Sequence, residues 1–389
     1  MKQFFISVLL AGVFISVACT SQKKETGLKQ MLQASLDSIV KADKLPGAAF
    51  CTFLPDGSII SIASGFADIE KNESMPVNAI MFTGSVGKTF VAATVLKLAE
   101  EKKLNLDQKV SDFFTEEGWF TQLPNSKDFT IRMLLNHTSG LPDYVYKTEL
   151  WEQIHQNPEK NWTGEERMRF IAGDTALSKA GTKWSYADAN YIVLGMIIEK
   201  LANESFYDLA TRYFLSPLQL INTKPAISRE IDGLVAGYTG LGKEMLLPAK
   251  MAENSVYAFN PQFEWTGGGF TTNVHDLTVW AKALYGGQVL SRSMLDEMLS
   301  PAPVPTDLYE NAGYGLGAFI GETNGVKYFG HTGFVPGYVT VMQYVPDFDI
   351  AISLQINTDD FKGKKHKMNY GNLLKEIVLK EYSRKTEEK

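Results

Sequence analysis

Cysteine is nearly absent from this chain: 389 residues hold two, Cys19 and Cys51, alongside five histidines. No pair stands at Cys-x-x-Cys or His-x-x-x-His spacing, so neither a disulfide framework nor a metal cluster is expected. Positive charge is also scarce. The 38 Lys and Arg are outnumbered by 44 Asp and Glu, a formal net charge of −6, whereas a nucleic-acid binder carries a basic face for the phosphates. Internal repeats and low-complexity tracts are missing as well. What is there is ordinary: 44% hydrophobic and 21% charged residues, which excludes collagen-like, coiled-coil and wholly disordered chains. The length leaves room for two domains or for one large unit with a split core.

The first residues stand apart. Lys2 precedes an apolar run from Phe4 to Val17, shorter than the ~20 residues of a bilayer span and ending in small residues. Residues 1–18 therefore read as a secretory signal. The ending Ser16-Val17-Ala18-Cys19 is similar to a bacterial lipobox, which makes Cys19 the expected site of lipid attachment, with plain cleavage after Ala18 as the alternative. Residues 19–27 read as a polar tether, and the body is expected to work outside the cytoplasm, in the periplasm or cell envelope. Cys51, in an apolar run, reads as a buried small hydrophobe.

The body alternates two kinds of pattern. Leu28–Lys41 has helical periodicity. Pro46–Phe53 and Ser58–Phe66 read as strands joined by the turn Pro55-Asp56-Gly57. From about Met75 to Trp265 helices dominate: Val86–Glu101, apolar nearly all round in its first half, then Tyr191–Leu201 and Phe206–Phe214. Asn273 with Asp276 marks a helix start. Strands return at Tyr314–Ile320, Val326–His331, Tyr338–Val345 and Ile350–Ile356, before a closing helix at Met368–Tyr382. The pattern predicts an α+β fold with an antiparallel sheet built from both termini. The two lobes are residues 28–75 plus 266–389, and a mostly helical insertion at 76–265, forming one catalytic unit with a cleft between them.

Ser85 and Lys88, in Phe82-Thr83-Gly84-Ser85-Val86-Gly87-Lys88-Thr89, are the first chemical signal. Their spacing places both side chains on one helix face. A serine hydroxyl needs a base to become a nucleophile, and lysine serves only if its proton affinity is lowered. The helix N-terminus supplies partial positive charge and oxyanion-stabilising N–H groups. Ser21/Lys24 and Ser38/Lys41 share the spacing but sit in a tether and a surface helix. A P-loop reading of Gly87-Lys88-Thr89 fails because Phe82 stands where its first glycine belongs. Two more elements follow. Tyr186-Ala187-Asp188 offers a tyrosine able to relay protons beside a lysine, or else a packing tyrosine. His331-Thr332-Gly333-Phe334, at the end of a strand, offers an edge for a substrate backbone and an oxyanion donor in the Phe334 N–H, or else a half-buried turn histidine.

Together these residues resemble the serine β-lactamase and penicillin-binding-protein superfamily, specifically its class C-related branch of DD-peptidases, D-aminopeptidases and esterases. Thr130–Pro142, containing Asn136-His137-Thr138-Ser139-Gly140-Leu141, is typical of the branch, as are Gly267-Gly268-Gly269-Phe270 and Gly315-Leu316-Gly317. The resemblance covers residues 30–360 and implies the β-lactamase/transpeptidase-like fold. It implies Ser85 as acylated nucleophile, Lys88 as its base and Tyr186 as proton relay. Asp188, His331, Thr332 and Gly333 would support the substrate, with the N–H groups of Ser85 and Phe334 as oxyanion hole and no cofactor. His137 reads as structural, and Gly267–Gly269 as a tight turn.

Two residues depart from the β-lactamase pattern. Asp188 replaces asparagine and, paired with Lys88, would raise the lysine's proton affinity. His331 replaces a lysine and binds a carboxylate less strongly. The expected function is an exported serine acyl hydrolase acting on a small-molecule or peptide substrate, through a peptide, ester or β-lactam carbonyl. The alternative is a catalytically weak member that binds rather than cleaves. The loop Pro142–Thr163 is where substrate choice is expected to lie.

Overall fold

The computed structural model describes residues 26–242, 245–306, 312–365 and 369–387. The signal segment, Cys19 and most of the tether lie outside them. The tether's last two residues do not: Thr26 and Gly27 open a helix, α1, that runs over 26–43. Leu28 is already buried in its first turn, so docking that residue carries its neighbours into the helix.

Eight strands form one antiparallel sheet: β1 (Gly47–Phe53), β2 (Ile59–Asp68), β3 (Glu73–Ser74), β4 (Gly313–Tyr314), β5 (Phe319–Thr323), β6 (Val326–Val335), β7 (Tyr338–Val345) and β8 (Ile350–Ile356). Their spatial order is β3-β2-β1-β8-β7-β6-β5-β4, so the two ends of the chain meet at the β1–β8 pair, with Phe50 opposite Leu354. The expected strand at 314–320 is split, because Gly317 turns the chain with φ +79° between β4 and β5. β6 runs past His331 to Val335, since its pairing with β7 continues from His331–Met342 to Val335–Tyr338. His331-Thr332-Gly333 is therefore mid-strand, and the turn comes at Pro336-Gly337.

The two sheet faces follow the period of two. Ala48, Phe50, Ile352 and Leu354 meet α1 and the C-terminal helix Tyr370–Glu387, while the small Ala49, Cys51 and Ala351 face the other way. Their size admits the helix Val274–Tyr285 close to the sheet, where Ser353 donates to the Val274 carbonyl at 2.6 Å. That helix starts as expected, Asn273 accepting the Asp276 N–H at 2.9 Å. Its Trp280 stacks on Phe90 at 4.1 Å, tying the sheet to the helix Lys88–Glu100, which is the centre of the helical lobe. Most of that helix is buried; it cannot exist without the lobe around it.

One buried group is poorly matched to its surroundings. Lys375, on the C-terminal helix, is 1% exposed, and its Nζ has no hydrogen-bond partner but lies 4.1 Å from the Tyr328 ring. Burial pulls its proton affinity down to a pKa of about 8, with Glu376 opposing weakly. Between that value and the unfolded ~10.4 the unfolded chain binds more protons, so this group makes stability rise with pH. Lys375→Met is expected to stabilise the fold by roughly 1–2 kcal/mol at neutral pH. The gain should shrink as pH climbs from 8 towards 10.5, which urea titrations at several pH values will check.

Candidate active site

The nucleophile candidate sits on a short turn, Gly84–Gly87, that runs directly into the helix Lys88–Glu100. Ser85 is the one residue from Met81 to Phe90 that is not buried. The turn is pinned on two sides. Thr83 donates from its N–H to the Phe270 carbonyl at 2.9 Å and from Oγ1 to Gly268 at 2.8 Å, and Thr340 of β7 donates to the Phe82 carbonyl at 2.8 Å. Beyond Gly330, β6 leaves its partner β5, and its free edge lies against this turn. The approach is close enough to require glycine twice. A Cβ on Gly333 would lie 1.9 Å from the Thr83 carbonyl oxygen and 3.2 Å from the Ser85 nitrogen, and one on Gly84 (φ +50°) 2.4 Å from the Phe334 nitrogen. The amides of Ser85 and Phe334 are thus brought side by side. Phe334 itself is 46% exposed, its ring on the open side of the strand.

Lys88 is fully buried, and its Nζ donates to three oxygens: Ser85 Oγ at 3.1 Å, Asp188 Oδ1 and the Gly267 carbonyl. An ammonium has three protons, so this one is saturated. Burial alone would drive the proton off. The Asp188 charge, then Tyr186 and Glu264, outweigh it and hold Lys88 well above the ordinary lysine range. Asp143 and Glu264 lie in the same buried surroundings, but not as full charges. Burial first, then the Asp188 charge, keeps both carboxyls protonated far above the usual carboxylate range. Of the ion pair, Asp188 is 14% exposed and Lys88 0%, so the charge that faces the cleft is negative.

Tyr186 and Asp188 arrive through the start of the helix Asp188–Ala202, and His137 holds them there. Its Nδ1 accepts from the Ala187 N–H at 3.2 Å and faces the Asn190 amide at 3.0 Å, while its ring stacks on Tyr186 at 4.2 Å. Ser139 donates to Asn190 Oδ1 at 2.5 Å. The Asn136–Leu141 motif is therefore a bracket for Tyr186-Ala187-Asp188, and the structural reading of His137 gains a specific object. Asp143 completes the bracket by accepting the Asp188 N–H at 2.8 Å. The Tyr186 hydroxyl is buried without a partner in bonding geometry, yet the Lys88 Nζ is only 5.1 Å from its ring centre. Burial pushes its proton affinity above the usual tyrosine range, the Lys88 charge opposing.

His331 is not where a substrate-binding side chain belongs. It is 2% exposed and faces inward from β6, because the strand's alternation turns Thr332 and Phe334 outward instead. Its Nδ1–H donates to the Thr332 carbonyl at 2.6 Å, and its Nε2 accepts from the Tyr314 hydroxyl at 2.9 Å. Both ring nitrogens are occupied. Burial lowers its pKa to about 3, so it is neutral at working pH. His331, expected beside the substrate, is placed behind the strand, with Thr332 and Phe334 on its outer side.

Sequence reasoning missed the Gly267 carbonyl and Glu264. A backbone oxygen leaves no residue-type signal, and a lone glutamate before a glycine triplet resembles any turn residue.

Two outcomes follow from this geometry. Removing the Asp188 charge with Asp188→Asn lowers the proton affinity of Lys88, so the ascending limb of the acylation pH–rate profile is expected to move down by about one pH unit or more, with a faster rate at pH 7. Gly333→Ala has to push β6 off the nucleophile turn. It is expected to slow acylation about a hundredfold while the circular dichroism spectrum stays unchanged.

A model of the Beta-lactamase family matches residues 32–375. Penicillin-binding protein 4* of Bacillus subtilis is 25% identical over 76% of this chain, and Protein flp of Staphylococcus aureus 29% identical over 49%. The chain spans 65% and 38% of their respective lengths. Among solved structures, D-amino acid amidase from Ochrobactrum anthropi is similar with a TM-score of 0.76 at 23% identity, covering 92% of this chain and 99% of that one. D-stereospecific amidohydrolase from Streptomyces is similar with a TM-score of 0.74 at 24% identity, covering 84% and 94%. These likenesses extend over the sheet and the helical lobe alike, and the chain belongs to the Beta-lactamase family.

Proposed function

We propose that the protein is a serine acyl hydrolase that forms an acyl-Ser85 intermediate from an amide or ester whose acyl donor is neutral or cationic. The observation that carries the reading is the 3.1 Å contact between Ser85 Oγ and the buried Lys88 Nζ. In the acylation step Ser85 Oγ bonds to the substrate carbonyl carbon while its proton passes to the neutral Lys88 amine. The oxyanion lies between the Ser85 and Phe334 N–H groups. Collapse expels the amine or alcohol, which takes a proton from Lys88 or Tyr186. Water then attacks the acyl-serine by the reverse proton route, regenerating the Ser85 hydroxyl.

The charge pattern supports the substrate class. The Asp188 carboxylate faces the cleft and His331 contributes no cation, so neither offers a charge to match a substrate carboxylate of the β-lactam kind. A free amine on the acyl group meets an opposite one. The D-amino acid amidase of the same fold is in keeping with an amide substrate. Because Asp188 makes the neutral Lys88 scarce, the wild-type rate is expected to climb into the alkaline range. The apolar N-terminal segment supports action outside the cytoplasm, with Cys19 as a lipid anchor.

The test is intact-mass spectrometry after treatment with a fluorophosphonate. One adduct is expected on the wild-type protein and none on Ser85→Ala. Equal labelling of both would overturn the assignment of Ser85, and no labelling of either at any pH would favour the binding-protein reading.

A further inference from the structure

Arg167 is buried completely, in the short helix Gly164–Arg169, and it touches neither Ser85 nor Lys88. Its helix starts from a reciprocal cap, Thr163 and Glu166 each bonding the other's backbone N–H, which fixes the root of the side chain. A buried guanidinium without a partner is costly, yet among the described residues no carboxylate lies within ion-pair distance of it. All its hydrogen bonds are to oxygens of two short segments. Nε donates to the Phe263 carbonyl at 2.7 Å, Nη1 to the Trp162 carbonyl at 2.8 Å, and Nη2 to the Gln262 carbonyl at 2.6 Å and Gln262 Oε1 at 3.3 Å. Gln262 returns two bonds to Trp162, accepting from its N–H at 2.8 Å and donating to its carbonyl at 3.1 Å.

The segment clasped in this way leads straight to the active site. Immediately after Phe263 come Glu264 and a tight turn, Trp265–Gly267, closed by the Gly267 N–H donating to the Glu264 carbonyl at 2.6 Å. Trp265 adopts φ +39°, a conformation that costs a bulky residue energy and persists only when its surroundings impose it. The Arg167 guanidinium lies 5.6 Å from the Trp265 ring centre, so it holds the strained residue from its side as well as from before it. The product of that strain is the Gly267 carbonyl, aimed at the Lys88 ammonium, with the Glu264 carboxyl alongside: a Cβ on Gly267 would lie 3.4 Å from Glu264 Oε2 and 3.7 Å from Asp188 Cγ.

We propose that Arg167 is a positioning residue which, by clamping the strained turn at 262–267, keeps the Gly267 carbonyl on Lys88 and so sets how tightly the catalytic lysine holds its proton. The planar five-donor fork explains why arginine is used: it reaches four oxygens on two segments, one more than the three protons of an ammonium can serve. Simple core filling would be met by an apolar side chain with no desolvation cost. The proposal rests on Lys88 being the base at Ser85, and it gives the two ends of the turn a common task.

The experiment compares wild type, Arg167→Met and Arg167→Lys for the pH dependence of acylation by a fluorophosphonate, with circular dichroism and thermal melting as folding controls. Loss of the Gly267 acceptor lowers the proton affinity of Lys88. Arg167→Met is therefore expected to move the ascending limb down by about one pH unit and to lower the plateau rate by about tenfold or more, with Arg167→Lys in between. A folded Arg167→Met whose limb and plateau both match wild type overturns the proposal. If Arg167→Met does not fold, Gln262→Leu, which removes only the side-chain half of the clasp, is expected to shift the limb less in the same direction, and an unshifted limb overturns the proposal. If wild type takes no label, the reading of Ser85 has failed, and the clamp is judged separately by NMR of protein carrying 15N-lysine. The sealed Lys88 ammonium is expected to exchange its hydrogens slowly in wild type and about tenfold faster in the variant; equal rates overturn the clamp.

Discussion

The ammonium of Lys88, sealed from water and donating to three oxygens, is the constraint on which the rest of the site depends. Each acceptor comes from a different part of the chain: Ser85 from the turn before its own helix, Asp188 from the start of a second helix, and Gly267 from the segment that precedes the strand Phe270–Thr272. A charge buried this deeply is tolerable only while all three stay in place. The pinning of Thr83, the His137 bracket and the Arg167 clasp can each be read as the support of one acceptor. The arrangement also sets a tension. What makes Lys88 a stable member of the core makes it a reluctant base, and Asp188 stands at the balance point.

Much of this was legible in the sequence, for reasons that differ by element. The strands β7 and β8 show clear alternation between apolar runs, and both were expected with the boundaries the structure shows. The β1–β2 hairpin announced itself through Pro55-Asp56-Gly57. Ser85, Lys88 and Tyr186 were singled out through spacing together with the ordered motifs of the family, and the ion pair of Asp188 with Lys88 was one of two roles weighed for a carboxylate standing where that family has asparagine. What was not legible depends on partners remote in the chain. His331 is turned inward and occupied because Tyr314 comes from a strand of only two residues, too short to leave a pattern. The turn at 262–267 works through a backbone carbonyl, and Arg167 through carbonyls too, so neither has a residue-type signature. Helix starts were also misplaced: α1 begins earlier than its periodicity because Leu28 is buried in its first turn, and the central helix begins later because the tighter turn Gly84–Gly87 runs into it.

The glycines at the nucleophile turn show how the two lobes depend on each other. β6 belongs to the sheet and Ser85 to the helical lobe, and they touch backbone to backbone with no side chain between them. Contact of that kind leaves no slack: a displacement of the sheet relative to the central helix is transmitted directly to the space between the Ser85 and Phe334 amides.

The meeting of β1 with β8 has a consequence for how this chain is born. Thr52 in the second segment of the molecule donates to Ala351, 299 residues further on. Until nearly the whole polypeptide exists, β1 has an open edge and the apolar residues of α1 have only half their cover. Loop closure over such a distance is slow, and an unpaired strand edge is a template for the wrong partner. The fold thus obliges its first hairpin to wait, which places the hazard in its life at synthesis.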